Sequence, residues 1–364
     1  MEAPKVVVIA GVRPQYVKTK AVLWLLERYR PRTAEATVTF DVGQHYSRQL
    51  SDAVTEDLQL TFDHRLRPLP GNMLRGQIVG RAISELSSFF DKLESKPAVV
   101  VFGDAASVVA GAFAAYNARL PLIHIEAGAR RDPSELEHFN SVIVDRLAQV
   151  RLAYSDRAVR ELETEGLAES THLVGDVAYE WYRFRYDTLL SKPQRGSSAP
   201  VVVSMHRPAN MTRENIVKVA ESLLSTGRQV RWISFPRIQP FLEQLAAMGV
   251  SVLEPMTHSI AMAELSEAAF LVTDSGGLSR EAHYLECPVI MRRDRGGWPE
   301  LASTGFLYPL TGRTRDDIDE AVRWAENVKV PGHNESPLIV PGGGESIANL
   351  IDRCVGEGRE WADF

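Results

Sequence analysis

Short apolar runs rich in valine and isoleucine recur along the chain, and each is followed by a stretch whose apolar residues return with helical spacing. That alternation predicts parallel sheets with crossover helices. Strands are expected at 5–10, 36–41, 97–102, 121–125 and 171–174, and again at 200–204, 230–234, 251–253, 269–273 and 288–291. The two sets are separated by an apparent helix ending near Leu190 and by the polar, Pro- and Gly-bearing stretch from Ser191 to Pro200, a linker by composition. With 364 residues the chain also exceeds what one core ordinarily supports. The fold class expected is α/β, with two Rossmann-like domains facing across a cleft. The first covers residues 1–190 and the second 199–344, and a final helical stretch within 345–364 could cross back to the first domain. Ligands of such open sheets sit beyond the carboxyl ends of the strands, so chemistry is expected just after strands.

Composition narrows this picture only by exclusion. Hydrophobic residues at 45% and charged residues at 24% are ordinary for a globular protein. A formal net charge of −6 supplies no general attraction to nucleic acid or to an anionic membrane, so any phosphate binding has to be local. The most apolar long stretch, from Val99 to Tyr116, is interrupted by Asp104 and Ser107 and does not read as a membrane span. Met1-Glu2-Ala3-Pro4 leads directly into the first strand without the flanks of a signal peptide, so a cytoplasmic location is expected. Cys287 and Cys354 read as two reduced structural thiols.

The strand ends carry the candidate chemistry. After the first strand, Gly11-Val12-Arg13-Pro14-Gln15-Tyr16-Val17-Lys18 is a glycine turn opening a helix with two cations. It suits an anion at a helix N-terminus, or equally a solvated helix start. The second strand runs into Gly43-Gln44-His45. The third ends in Gly103-Asp104, where the carboxylate either faces the ligand as an acid/base group or caps the helix that follows. The fourth ends in Glu126-Ala127-Gly128-Ala129-Arg130, so acids end two neighbouring strands. Glu137 and Asn140, three apart, share a helix face that is either functional or simply solvated. In the second half, His206-Arg207 follows a strand; His206 is an acid, base or phosphate donor if it is not structural. The strongest local signal is Asp274-Ser275-Gly276-Gly277 with Glu281 one turn later. Glycines admit a diphosphate to the backbone, Ser275 donates to it, and Glu281 accepts from ribose hydroxyls.

In chain order these segments resemble the non-hydrolysing UDP-N-acetylglucosamine 2-epimerases, a bacterial family with the two-domain GT-B architecture. The resemblance rests on Gly-x-Arg-Pro-x-x-x-Lys at 11–18, Gly-Gln-His at 43–45, Gly-Asp at 103–104, Glu-Ala-Gly-x-Arg at 126–130 and Glu-x-x-Asn at 137–140. It continues through His206-Arg207, Leu253-Glu254-Pro255, Asp-Ser-Gly-Gly-x-x-x-Glu at 274–281 and Pro299-Glu300. It implies anti elimination of UDP from UDP-N-acetylglucosamine to a 2-acetamidoglucal, then re-addition with carbon 2 inverted, giving UDP-N-acetylmannosamine. It implies neither a metal nor a nicotinamide cofactor. Asp104, Glu126 and Glu137 become acid/base candidates, and His206 a proton carrier or diphosphate neighbour. Arg13, Lys18, Gln44, His45, Arg207, Ser275, Gly276, Gly277, Glu281 and Arg295 become UDP-sugar contacts. A homodimer is the family's common state.

The chain also departs from the family pattern. Where the family has arginine before Pro-Glu, this sequence has Trp298, with Arg293 and Arg295 as the nearby cations. Glu137-His138-Phe139-Asn140-Ser141 keeps one acid but lacks the arginine, and Pro236-Arg237-Ile238-Gln239-Pro240 lacks the histidine. Ser47 stands where the activator-binding pattern that begins Gln-His has its second glutamine, which argues against activation by a second substrate molecule. Three other readings share the nucleotide site: a hydrolysing epimerase releasing N-acetylmannosamine and UDP, a GT-B glycosyltransferase, and a UDP-sugar sensor without catalysis.

Overall fold

The computed structural model describes residues 3–43, 48–66, 74–186, 196, 198–293 and 297–355, without the side chains of residues 48–51. The chain divides into two compact units, Met1–Arg185 with Pro337–Phe364, and Tyr186–Ser336. Each is an open, wholly parallel sheet with helical crossovers, the α/β class expected of two Rossmann-like domains.

In the first unit, β1 (Val6–Ala10), β2 (Thr37–Asp41), β3 (His64–Arg65), β4 (Ala98–Phe102), β5 (Leu122–Ala127), β6 (Val150–Ala153) and β7 (Thr171–Leu173) lie in the order 3-2-1-4-5-6-7. Both faces of the central strands β1 and β4 are covered, which is why these two are apolar throughout rather than alternating with polar residues. Val7, Ile9, Val99 and Val101 pack on one face with Ala82, Leu86 and Val108. Val6, Val8, Val100, Phe102 and Ile125 pack on the other with Val22, Leu25, Ile347 and Ile351, following the two-residue period of a strand. The last two belong to the helix Gly343–Arg353, which lies beside the helix Arg13–Tyr29. The return to this unit starts at Pro337, ahead of residue 345, because Leu338 is fully buried there and its carbonyl accepts the Asp176 N–H at 2.8 Å.

In the second unit, β8 (Val201–Ser204), β9 (Val230–Ile233), β10 (Ser251–Leu253), β11 (Phe270–Thr273), β12 (Val289–Arg292) and β13 (Leu307–Leu310) lie in the order 10-9-8-11-12-13. Val201, Val203, Trp232, Phe270 and Val272 pack against Ile216, Val219, Ile318 and Val322 of two helices. Each sheet reverses its strand order once at the centre, at β1/β4 and at β8/β11, and residues beyond those strand ends are the ones a ligand meets in this fold class. Cys287 and Cys354 are buried and unbridged. No described helix is long and apolar enough to cross a membrane.

One core feature of the second unit is pH-sensitive. His283, 1% exposed, has Nε2 at 2.6 Å from Ser336 Oγ, and its ring packs on Phe306 with centroids 4.2 Å apart. Burial, helped by His333 and Arg280, pushes its pKa down to about 3. An unfolded histidine binds its proton near pH ~6.5. The unfolded state therefore holds a proton that the folded His283 does not between pH ~6.5 and about 3, so stability falls as pH drops through that window. A His283→Gln variant, less stable than wild type at pH 7.5, is expected to close the gap in Tm on acidification to pH ~4.5. A gap that stays constant removes His283 from the acid response.

Candidate functional site

In the first unit the helix Arg13–Tyr29 begins two residues after β1, with Arg13 at its first position. Gln15 braces this turn: its Oε1 accepts the N–H groups of Gly11 at 2.8 Å and Val12 at 3.2 Å, and its Nε2 donates to the Phe102 carbonyl at 2.9 Å. Burial lowers the Arg13 pKa, and a guanidinium, always charged in proteins, stays cationic there. One turn on, Lys18 is buried and its ammonium is paired with the Glu126 carboxylate. Gly103, with φ +68°, lies under that pair: a Cβ there would sit 3.1 Å from Glu126 Oε2, so this backbone conformation and close approach both call for glycine.

Asp104 does not cap the helix that follows. That helix, Ala106–Asn117, has Ala105 at its cap position without a side-chain bond, and the Asp104 carboxylate pairs instead with Arg131. Asn140 Nδ2 donates to the Asp104 carbonyl at 2.7 Å. Glu137 pairs with Arg75 at 3.0 Å. Although burial pushes the Glu137 carboxyl up, backbone and Arg75 hydrogen bonds outweigh it, with Arg131 adding to them, and hold it below its ordinary value. Arg131 faces Asp104, Glu135 and Glu137, which together keep it protonated against the cost of burial. Asp104, Glu135 and Glu137 therefore share Arg131, while Glu126 faces Lys18. At the end of β2, Asp41 accepts from Tyr16 Oη at 2.9 Å and from the Gly43 N–H at 3.0 Å, and burial raises its pKa.

In the second unit the buried Asp274 organises the strand ends. Its carboxylate accepts the backbone N–H groups of His206 at 3.0 Å and Arg207 at 2.9 Å and the Asn210 amide at 2.9 Å, and it faces His206 Nδ1 at 3.0 Å. Burial pushes this carboxyl up, but the bonds from His206 and Asn210 outweigh it and hold it below the usual range. The His206 ring remains 40% exposed, so the imidazole is both fixed and accessible. Ser275 caps the helix Gly276–Tyr284 by accepting the Leu278 N–H at 3.3 Å, and Gly276 and Gly277 form its first turn. Glu281 Oε1 is 3.0 Å from His258 Nε2, and His258 Nδ1 is 2.8 Å from Tyr186 Oη. Trp298 ties its loop to the same helix start: its Nε1–H donates to the Gly276 carbonyl at 2.7 Å, and the Arg280 guanidinium lies 5.3 Å above its ring. Arg293 Nη1 lies 3.8 Å from where a Cβ on Gly276 would be.

Of the residues singled out from the sequence, Lys18 and Glu126 are in direct contact, and Asp104 and Glu137 share Arg131 as a neighbour. Arg13 opens the helix that carries Lys18. His206, Arg207, Ser275, Gly276 and Gly277 gather around Asp274 and the helix start it precedes, whereas Glu281 is engaged by His258. Gln44, His45 and Arg295 lie outside the described residues. Sequence reasoning missed Gln15, Arg75, Arg131, Asn210 and His258. Only Arg131 carried a local signal, as the second arginine directly after the Glu-Ala-Gly segment.

Two open parallel sheets, each with polar groups gathered beyond its central strands, define a Rossmann-like α/β protein. Residues 30–351 match the family model of UDP-N-acetylglucosamine 2-epimerase. The chain belongs to that family, whose members are isomerases. It is 26% identical over 366 residues to the UDP-2,3-diacetamido-2,3-dideoxy-D-glucuronate 2-epimerase of Pseudomonas aeruginosa, covering 96% of this chain and 98% of the relative. It is 24% identical to the UDP-N-acetylglucosamine 2-epimerase of Neisseria meningitidis, covering 95% of this chain and 99% of the other. Among solved structures it shares the GT-B fold of the Methanocaldococcus jannaschii UDP-GlcNAc 2-epimerase in complex with UDP-GlcNAc and UDP. There the TM-score is 0.80 at 23% identity, over 96% of this chain and 99% of that one.

Proposed function

We propose that this protein inverts carbon 2 of UDP-N-acetylglucosamine without hydrolysing it, acting in the cytoplasm. A carboxylate removes the carbon-2 proton, the bond from carbon 1 to the diphosphate oxygen breaks, and UDP leaves with the electron pair to give a 2-acetamidoglucal. UDP then returns to carbon 1 while carbon 2 is protonated on the opposite face. The observation that carries this reading is Glu126, buried at the carboxyl end of β5 and paired with Lys18: a carboxylate fixed at a strand end, where ligands of this fold class sit, is placed to act as a general base. Asp104 and Glu137, beside Arg131, are the remaining acid/base groups, with His206 as a proton carrier. Arg13, Arg207 and the helix start at Ser275, Gly276 and Gly277 supply the positive field that stabilises departing UDP.

Incubation with UDP-N-acetylglucosamine in deuterated water, followed by NMR, tests this reading. Deuterium at carbon 2 of a UDP-linked manno product is the expected result. Free N-acetylmannosamine with UDP would establish the hydrolysing course, and absence of exchange would overturn both. The similarity to the Pseudomonas enzyme, with Arg131 beside Asp104, favours a second substrate reading in which the sugar carries a carboxylate that Arg131 meets. Exchange confined to the 2,3-diacetamido glucuronate would establish it.

A second copy of the chain is the proposed partner. Leu136, Phe139 and Ile143 follow one another at helical spacing on the helix Leu136–Leu147, and all three are exposed. Phe113 and Tyr116 are exposed on the neighbouring helix Ala106–Asn117, so the apolar surface spans two helices. Phe139→Asp with Ile143→Asp is expected to convert a dimer to a monomer in light scattering. An unchanged mass would exclude this surface.

A further inference from the structure

His124, in β5, is fully buried two residues before Glu126. Its Nδ1 lies 2.6 Å from Asp145 Oδ1 and its Nε2 lies 2.8 Å from the Gly103 carbonyl oxygen. A carbonyl oxygen only accepts. Asp145 is itself accepting from Arg130 Nη1 at 2.6 Å and from the Gly128 N–H at 3.1 Å. Burial pushes the Asp145 carboxyl up, but His124 and Arg130 outweigh it and hold it below the carboxylate range. With acceptors on both sides, both ring nitrogens of His124 donate. The second end of Arg130 is fixed by Glu165, whose oxygens accept from its Nε at 2.6 Å and its Nη2 at 2.9 Å.

The consequence lies in what this group brackets. His124 precedes Glu126 by two residues and Gly128 follows it by two, and both are bonded to the one carboxylate of Asp145. Between them β5 shifts register against β6, and Glu126 takes φ +66°, a left-handed conformation that an L-residue adopts only at a cost in energy. Gly128 has φ +77°, and a Cβ there would fall 2.3 Å from the Ala158 carbonyl oxygen, so the exit from this bulge requires glycine. The same imidazole reaches across to Gly103, the residue before Asp104, whose N–H donates to the Ile125 carbonyl at 2.9 Å. One buried histidine thus joins the segments that carry Glu126 and Asp104.

We propose that His124 and Asp145 are positioning residues for the reaction, holding Glu126 in its left-handed conformation and fixing its placement relative to Asp104 without touching substrate. This rests on the reading that Glu126 and Asp104 act on the sugar. A general base is effective only within hydrogen-bond reach of its proton, so a shift of the bulge lowers turnover while leaving nucleotide binding in place.

The test uses two variants that each keep one arm of the bridge. His124→Gln can still reach the Gly103 carbonyl, and His124→Asn can still reach Asp145. Both are expected to lower kcat about 100-fold, with KM and UDP affinity within about twofold of wild type and with slower carbon-2 deuterium exchange. A control, Leu86→Ala, removes packing from the core on the other face of the same sheet, where it makes none of the bridge's hydrogen bonds, and is expected to lower Tm with kcat retained. Unchanged kcat in the folded histidine variants would overturn the proposal, as would a loss of kcat matched by the control at equal loss of Tm. If neither variant folds, 15N-histidine NMR of the wild-type protein decides. Two exchange-protected ring protons on one buried histidine are expected, and a single protonated nitrogen would overturn the bridge. That spectrum does not depend on the substrate, so absence of exchange in the wild-type protein would instead count against the proposed reaction.

Discussion

Glu126→Gln and Asp104→Asn are each expected to lower turnover about 10³-fold, within the range general acid/base groups contribute, while UDP affinity holds within about twofold. The factor corresponds to about 4 kcal/mol of barrier. Each amide keeps the shape of its carboxylate, so the loss falls on proton transfer rather than packing. Glu126→Gln also releases Lys18 from its counter-ion, so attraction for a diphosphate does not diminish. Carbon-2 deuterium exchange and UDP titration, measured on the same preparations, separate the two effects. Turnover within tenfold of wild type in either variant would remove that residue from the acid/base set, and loss of UDP binding in parallel would make it a binding group. Asp104 and Glu137 share Arg131 as a neighbour whereas Glu126 is paired with Lys18, so the two variants act on separate ion pairs.

The largest effect expected on stability is at Asp274. Its carboxylate is fully buried and satisfies two backbone N–H groups and the Asn210 amide while facing the His206 ring. Asp274→Ala strands those donors and is expected to cost the second unit about 3–5 kcal/mol in urea unfolding, the range for breaking a buried charged group from its partners. Asp274→Asn keeps one acceptor but turns an amide N–H toward a donor, and about 2 kcal/mol is expected. Because the folded carboxyl is held below the usual range, its contribution is present above the unfolded value near pH ~3.9 and is lost as pH falls through the lower folded value. That loss falls at more acid pH than the onset expected from His283, so the two groups are separable by acid titration of the variants. A cost below about 1 kcal/mol for the alanine variant would show that this network holds little of the second unit together.

Trp298 shows how a departure from a family pattern is absorbed. An indole in place of arginine removes a cation by sequence, yet the fold sets Trp298 against the Gly276 carbonyl and under Arg280, with Arg293 close to the same glycine. The positive charge near this helix start comes from neighbours in space.

The sequence by itself determined ten of the described strands to within about two residues, most clearly β1, β4, β8 and β11 at the sheet centres, because apolar runs covered on both faces have no competing local pattern. It also located the helix start at Ser275 and the acids at the ends of β4 and β5, where glycine, serine and carboxylate follow a strand directly. Three strands were invisible to the same reasoning. β3 has two residues, β6 carries Arg151, and β13 carries Pro309, tolerated because that strand lies at the sheet edge. Arg151 is buried in β6 only because its Nη1 and Nη2 donate to the Asp145 and Glu169 carbonyls, contacts that local patterning cannot anticipate. Tertiary structure alone decided which cation meets which acid: Lys18 and Glu126 are 108 positions apart, Arg75 and Glu137 62, Arg131 and Asp104 27. Those pairings follow from strand order and from a bulge stabilised by His124 and Asp145, and no local run of residues encodes either, since each depends on chain segments meeting only after the sheet has formed.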